Sequence, residues 1–136
     1  MARGDRVPFV PNRTLVTVHA TLNASGGFYL IVDSGAERTV ITRRAASVLG
    51  IDLTRPLRTE PLTGLGQTAA VPVVQLDRVQ VGASAAGRLL ASVCDLPPSF
   101  RADGLLGLNF LSRFRVAFEF DTRTLVLRPP PARQAR

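Results

Sequence analysis

Asp33-Ser34-Gly35-Ala36 follows directly on the apolar run 28–32, Phe-Tyr-Leu-Ile-Val, so a strand with the composition of a core strand ends on a carboxylate. A lone charge taken out of water is costly, and a carboxylate placed there must be hydrogen-bonded or change its pKa. Gly35 supplies the free φ of a sharp turn, and Ala36 a side chain too small to block approach from outside. Asp33 can therefore face a cleft and exchange protons there. The same residues also suit an ordinary turn in which the Asp side chain bonds its own backbone. A second stretch, Ala102-Asp103-Gly104-Leu105-Leu106-Gly107-Leu108-Asn109, again runs an apolar pair into a glycine and then into a helix-like segment.

Together the two stretches resemble the retroviral-type (retropepsin-like) aspartic proteases, in particular single-domain members of bacterial style. These pair an Asp-Thr/Ser-Gly-Ala loop with a later apolar-apolar-Gly motif and a short helix. The resemblance spans residues 7–128, and the pair of motifs is far more specific than either alone. It implies a mainly-β acid-protease fold, a closed or partly open barrel with two short helices, active as a symmetric homodimer. Peptide hydrolysis by aspartates needs two carboxylates around one water, and the chain has one Asp-Ser-Gly. Asp103 precedes Leu105-Leu106-Gly107 instead of occupying the catalytic slot, and reads as a turn residue. The second carboxylate then comes from another copy of the chain, with Asp33 beside its twin on the two-fold axis.

The resemblance also implies that Ser34 hydrogen-bonds across the dimer, that Gly35 lets backbone approach the water and substrate, and that Ala36 lines the cleft. Ser34 stands where the more usual motif has Thr, keeping the hydroxyl and losing a methyl. Gly64, Leu65, Gly66 and Gln67 correspond to a flap over a peptide held as an added β-strand. Leu105, Leu106 and Gly107 form the structural glycine motif. The implied activity is that of an aspartic endopeptidase needing no cofactor and no metal, with a second copy of the chain and a peptide or protein substrate as partners.

Length and composition fit this reading. The 136 residues are the size of one domain, and an apolar fraction of 46% suffices for a core. The expected layout is a flexible N-terminus over 1–6, a protease domain over 7–128 and a flexible Pro/Arg-rich tail over 129–136. One Cys allows no internal disulfide, and Cys94 reads as a small buried hydrophobe in an apolar strand. No sustained apolar segment marks a signal peptide or membrane span, which places the expected location in the cytoplasm. The net charge of +7 comes from 17 cationic residues, all Arg, scattered without a dense run. No Trp and one Tyr offer little for base stacking. The Arg excess reads as a solvated surface, with an acidic peptide or partner as a modest alternative to nucleic acid.

Alternation over 15–22 predicts a strand with Val16, Val18, Ala20 and Leu22 on one face and Thr17, His19 and Thr21 on the other. A turn at 23–27 returns the chain as 28–32. Residues 38–42 are β-type, and Thr42 caps a short helix over 43–49 stopped by Gly50. Residues 57–82 read as two strands around Thr63-Gly64-Leu65-Gly66-Gln67. Gly64 to Ala69 matches a dinucleotide fingerprint, but Pro61 and Pro72 stand where that motif needs a strand and a helix. Further strands are expected near 79–82, 89–94, 116–120 and 125–127, with a loop at 96–100 and a short helix over 108–114.

Two rival functions follow from the same residues. A serine hydrolase using Ser34 lacks the Gly-x-Ser-x-Gly elbow and has only His19, on a polar strand face, to activate it. A dimeric peptide-binding or scaffolding module could keep the fold without turnover, since fold does not fix function. The intact Asp33-Ser34-Gly35 argues against the module.

Overall fold

The computed structural model describes residues 4–64 and 67–130. β1 (Asp5–Pro8) precedes a hairpin of β2 (Thr17–Leu22) and β3 (Ser25–Val32), turned through Asn23 at φ 54°. After the loop that holds Asp33 come β4 (Thr39–Ile41) and α1 (Arg43–Val48). The long hairpin of β5 (Arg58–Gly64) and β6 (Gln67–Val81) leads to β7 (Ser84–Val93). The chain continues through β8 (Gly104–Leu106), α2 (Leu108–Leu111), β9 (Arg115–Glu119) and β10 (Thr124–Arg128).

Six strands, in the hydrogen-bonded order β2-β3-β8-β4-β7-β6, form a ring that closes where β2 meets β6 at Thr21↔Gln80 and Leu22↔Val79. Closure leaves few exposed strand edges. The apolar alternate positions fill the interior: Leu22, Leu30, Ile41, Leu76, Leu89 and Leu106 are fully buried, with Phe110 of α2 beside them. Each such side chain contributes about 1.5–3 kcal/mol by leaving water. The fold is thus the expected mainly-β barrel with two short helices. A separate three-stranded sheet, β1-β10-β9, packs Val7, Leu125 and Leu127 onto the same core.

α1 begins where Thr42 accepts a hydrogen bond from the Ala45 amide, and ends at Gly50, whose φ of 71° is the left-handed conformation that glycine adopts without cost. β5 and β6 pair from Arg58↔Val73 to Gly64↔Gln67. Only the second half of β6 joins the barrel, so its first half and β5 project as an arm with Thr68, Ala69 and Ala70 exposed.

Several expectations need correction. Asp5 and Arg6, assigned to a flexible N-terminus, pair with Leu127 and Val126 in β1, and Arg6 forms an ion pair with Glu119 of β9. Thr17, assigned to the polar face of its strand, is fully buried. The segment around Val10 covers that end of β2, and the Thr17 hydroxyl is satisfied by the Leu15 carbonyl at 2.9 Å. Cys94 lies just beyond β7 and is half-buried. The helix after Gly107 is one turn, ending at Leu111. Pro129 and Pro130 carry no secondary structure, and the rest of the tail lies outside the described residues.

Candidate active site

β3 and β8 run parallel, in register from Leu30↔Gly104 to Val32↔Leu106. Their C-terminal ends therefore emerge at one end of the barrel, which brings Asp33 beside Gly107, and the Asp33 amide donates to the Leu106 carbonyl at 3.0 Å. β4 runs antiparallel to β8, so its first residue, Thr39, arrives at the same end. Two motifs separated by some seventy residues meet there because of this mixed pairing.

The loop 33–37 is fixed by what it caps. The orphan amides at the start of α2 find backbone carbonyls instead of a side-chain cap: Leu108 donates to Ala36 at 2.7 Å and Asn109 to Glu37 at 3.1 Å. Gly107 lies flat on the other side of the loop. A Cβ there would stand 2.7 Å from the Arg38 carbonyl carbon and 2.8 Å from its oxygen. The φ of −94° is available to any residue, so space is what requires glycine.

A buried network lies beneath. The Thr39 hydroxyl accepts from the Gly107 amide at 3.1 Å and donates to Asn109 Oδ1 at 2.9 Å. Asn109 Oδ1 also accepts from the Thr39 amide at 2.9 Å, while Nδ2 donates to the Leu90 carbonyl of β7 at 2.8 Å. Every polar group is paired, the condition under which a buried network rigidifies instead of destabilising. Thr39→Val leaves the Gly107 amide without a partner and is expected to lower stability by about 1–3 kcal/mol. Urea unfolding checks this: Thr39→Ser should recover most of the loss, and a Val variant as stable as wild type would remove the network's role.

Asp33 itself is half-buried. Its Oδ1 accepts from the Gly35 amide at 2.9 Å, so the local turn bond is present, and Oδ2 has no hydrogen-bond partner among the described residues. Ser34 and Gly35 are exposed and Ala36 is half-buried. Leu106 is fully buried and Leu105 half-buried. The structure thus brings Asp33, Ala36 and Gly107 together. Of the flap positions, Gly64 and Gln67 are opposed in backbone register, and Leu65 and Gly66 lie outside the described residues. No group of three or more His, Cys, Asp or Glu suited to a metal occurs among the described residues.

Sequence reasoning missed Thr39, Asn109, Arg38 and Glu60. Asn109 carried a signal, a polar residue one step into an apolar helix. Arg38, just after the loop, pairs with Glu60 of β5, and Arg58 pairs with the other oxygen of the same carboxylate. The two hydrogen bonds, first from Arg38 and then from Arg58, hold the Glu60 carboxyl below its usual 4.5. A carboxyl with a lowered pKa in the folded protein stabilises above its unfolded value and loses that contribution as pH falls through the folded one. The tie between arm and loop should therefore be complete above about pH 4.5 and weaken in stronger acid. Amide exchange in β5, corrected for intrinsic rates, should accelerate on acidification in wild type and be insensitive to it in Glu60→Gln. Identical acid profiles for the two proteins would exclude the tie.

Other polar candidates take structural places. His19 is exposed on β2 with its ring 4.9 Å from that of Tyr29, as expected of a solvated strand residue. Asp103 clamps the far end of the barrel. Its Oδ2 accepts from the Tyr29 amide at 2.8 Å, its amide donates to the Tyr29 carbonyl at 2.7 Å and its carbonyl accepts from Thr42 at 2.9 Å.

A closed barrel whose parallel strands deliver an Asp-Ser-Gly loop against an apolar-apolar-Gly wedge defines the retropepsin-like class of acid-protease folds. The sequence profile of the gag-polyprotein putative aspartyl protease family matches residues 18–113, most of the chain, and the protein belongs to that family. Among solved structures, a retropepsin-like aspartic protease from Rickettsia conorii superposes with a TM-score of 0.66 at 25% identity, over 93% of this chain and 96% of that one. No curated protein matches the sequence. No helix among the described residues is long and apolar enough to cross a membrane.

Proposed function

We propose that the protein is an aspartic endopeptidase that hydrolyses peptide bonds as a symmetric homodimer, with Asp33 of each subunit flanking one water. The observation that carries this reading is the half-buried Asp33, one oxygen without a partner among the described residues, on a loop locked by Gly107 and α2. One carboxylate removes a proton from the water as its oxygen attacks the scissile carbonyl carbon. The other, protonated, donates to the carbonyl oxygen, and collapse of the tetrahedral intermediate protonates the leaving nitrogen. Ser34, exposed beside Asp33, is positioned to meet its twin across the two-fold axis. Gly35 leaves room for backbone and water, and Ala36 borders the cleft.

The projecting β5–β6 arm supports a flap role for Gly64, Leu65, Gly66 and Gln67. It is anchored in the barrel through β6 and tied to the Asp33 loop through Arg38 and Glu60. A peptide beneath it is recognised through backbone hydrogen bonds and alternate side-chain pockets. Membership of a protease family supports peptidase chemistry over a non-catalytic binding module. The test is a peptide library with a statine-type inhibitor, whose hydroxyl-bearing tetrahedral carbon stands in for the attacked carbonyl. Cleavage should occur and be blocked by the inhibitor. Inhibitor-insensitive cleavage, or peptide binding without cleavage at any pH, would overturn the proposal.

A further inference from the structure

A cavity lies at the other end of β3 from Asp33, where Gly26 to Tyr29 face α1 and the Leu96-Pro97-Pro98 loop. Its volume is about 560 Å³, and three arginines, Arg13, Arg44 and Arg101, line it against one acidic residue, Asp103. The Asp103 carboxylate is already engaged by the Tyr29 amide. None of the three arginines belongs to an ion pair among the described residues, whereas Arg6, Arg38 and Arg58 do. Arg13 Nε is buried without a hydrogen-bond partner among the described residues, and its guanidinium carbon lies 5.2 Å from the centre of the Tyr29 ring. A buried guanidinium nitrogen with no acceptor is costly unless something supplies one. A second cavity of about 340 Å³ adjoins, walled by Thr14, Leu15 and Phe100 and sharing Arg13 and Arg101 with the first.

We propose that this arginine-lined pair of cavities docks an acidic segment of the protein substrate, separately from the cleft at Asp33. The word substrate rests on the peptidase reading. The binding site does not, because none of its residues belongs to the Asp33 loop, α2 or the β5–β6 arm. The observations favour a peptide for three reasons. Two neighbouring cavities that share Arg13 and Arg101 suit an extended chain better than one compact anion. The guanidinium fork matches carboxylates in bidentate geometry. Apolar walls from Val48, Leu96, Pro97 and Phe100 suit intervening side chains. A single-stranded nucleic acid would want several open aromatic faces for successive bases; the Tyr29 face is already covered by Arg13, and of the other lining rings Phe28 is buried and Phe100 half-buried.

The experiment uses a fluorescein-labelled peptide with alternating Glu and Leu, followed by anisotropy with full-length Asp33→Asn protein, so that binding is read without turnover. Arg44 and Arg101 are exposed, so their charge reversal spares the core. Binding should weaken about tenfold or more in Arg44→Glu and in Arg101→Glu, as expected for loss of a charge-assisted contact. It should fall with added salt and vanish when each Glu is replaced by Gln. Inorganic pyrophosphate and a single-stranded oligonucleotide should displace the peptide poorly. Unchanged affinity in both Arg variants, equal binding of the Gln peptide, or tighter binding of the oligonucleotide would each overturn the proposal. None of these outcomes bears on cleavage of short neutral peptides by the wild type, which alone decides the peptidase reading.

Discussion

Asp33→Asn is expected to lower peptide cleavage by roughly 10²–10⁴-fold or more while leaving the fold in place. The amide has the shape of the carboxylate, and its oxygen can still accept from the Gly35 amide as Asp33 Oδ1 does at 2.9 Å. The Asp33 amide keeps its bond to Leu106, and the capping of α2 by Ala36 and Glu37 involves only backbone. What is lost is the capacity to take a proton from water. In a symmetric dimer the change removes both bases at once, and it also removes any repulsion between the two carboxylates. Steady-state kinetics on a cleaved peptide, with thermal unfolding as the control, give the result. Cleavage at the wild-type rate would reassign the chemistry to another group.

The second large effect is structural and reaches the site through packing. Gly104→Ala would place a Cβ on the Val40 carbonyl oxygen, and Gly107→Ala would place one 2.7–2.8 Å from the Arg38 carbonyl and the Thr39 amide. The atoms closer than 3.0 Å are all backbone, so no side-chain rotation relieves them. Either β8 separates from β4 or the loop 33–38 moves off α2. Each substitution should cost about 3 kcal/mol or more, lowering Tm by about 10 °C. Gly107→Ala should cost activity as well, because its clash lies in the segment that holds Asp33. Gly26→Ala is the control: its Cβ would meet nothing closer than the Thr21 hydroxyl at 3.6 Å, and its Tm should stay near that of wild type. Calorimetry of the three variants decides. Near-wild-type stability of Gly107→Ala would mean that the wedge is not close-packed.

Local chemistry was easiest to read from the sequence. Thr42 and Gly50 announce both ends of α1, and the glycines around Leu65 announce a hairpin. The Asp33 and Gly107 motifs were legible because each joins an apolar run to residues that runs of that kind exclude. What escaped were features created by pairing. β8 is three residues long and reads only as an apolar pair before a glycine, since a strand that short has no period. Its identity comes from lying parallel to β3 and antiparallel to β4. β1 is likewise short and polar, and is a strand only because Leu125 to Leu127 offer it an edge. Thr39 and Asn109 lie seventy residues apart, and neither has a distinctive neighbour. The Arg38–Glu60 tie is invisible until β5 folds back over the loop.

An active centre shared by two chains makes a quantitative demand. Wild-type and Asp33→Asn chains are unfolded together, refolded in varying proportion at constant total concentration, and assayed on one cleaved peptide. If each centre needs one Asp33 from each subunit, activity follows the square of the wild-type fraction, so an equal mixture retains about a quarter. Activity proportional to the wild-type fraction itself would mean that one Asp33 suffices, and would contradict the shared centre.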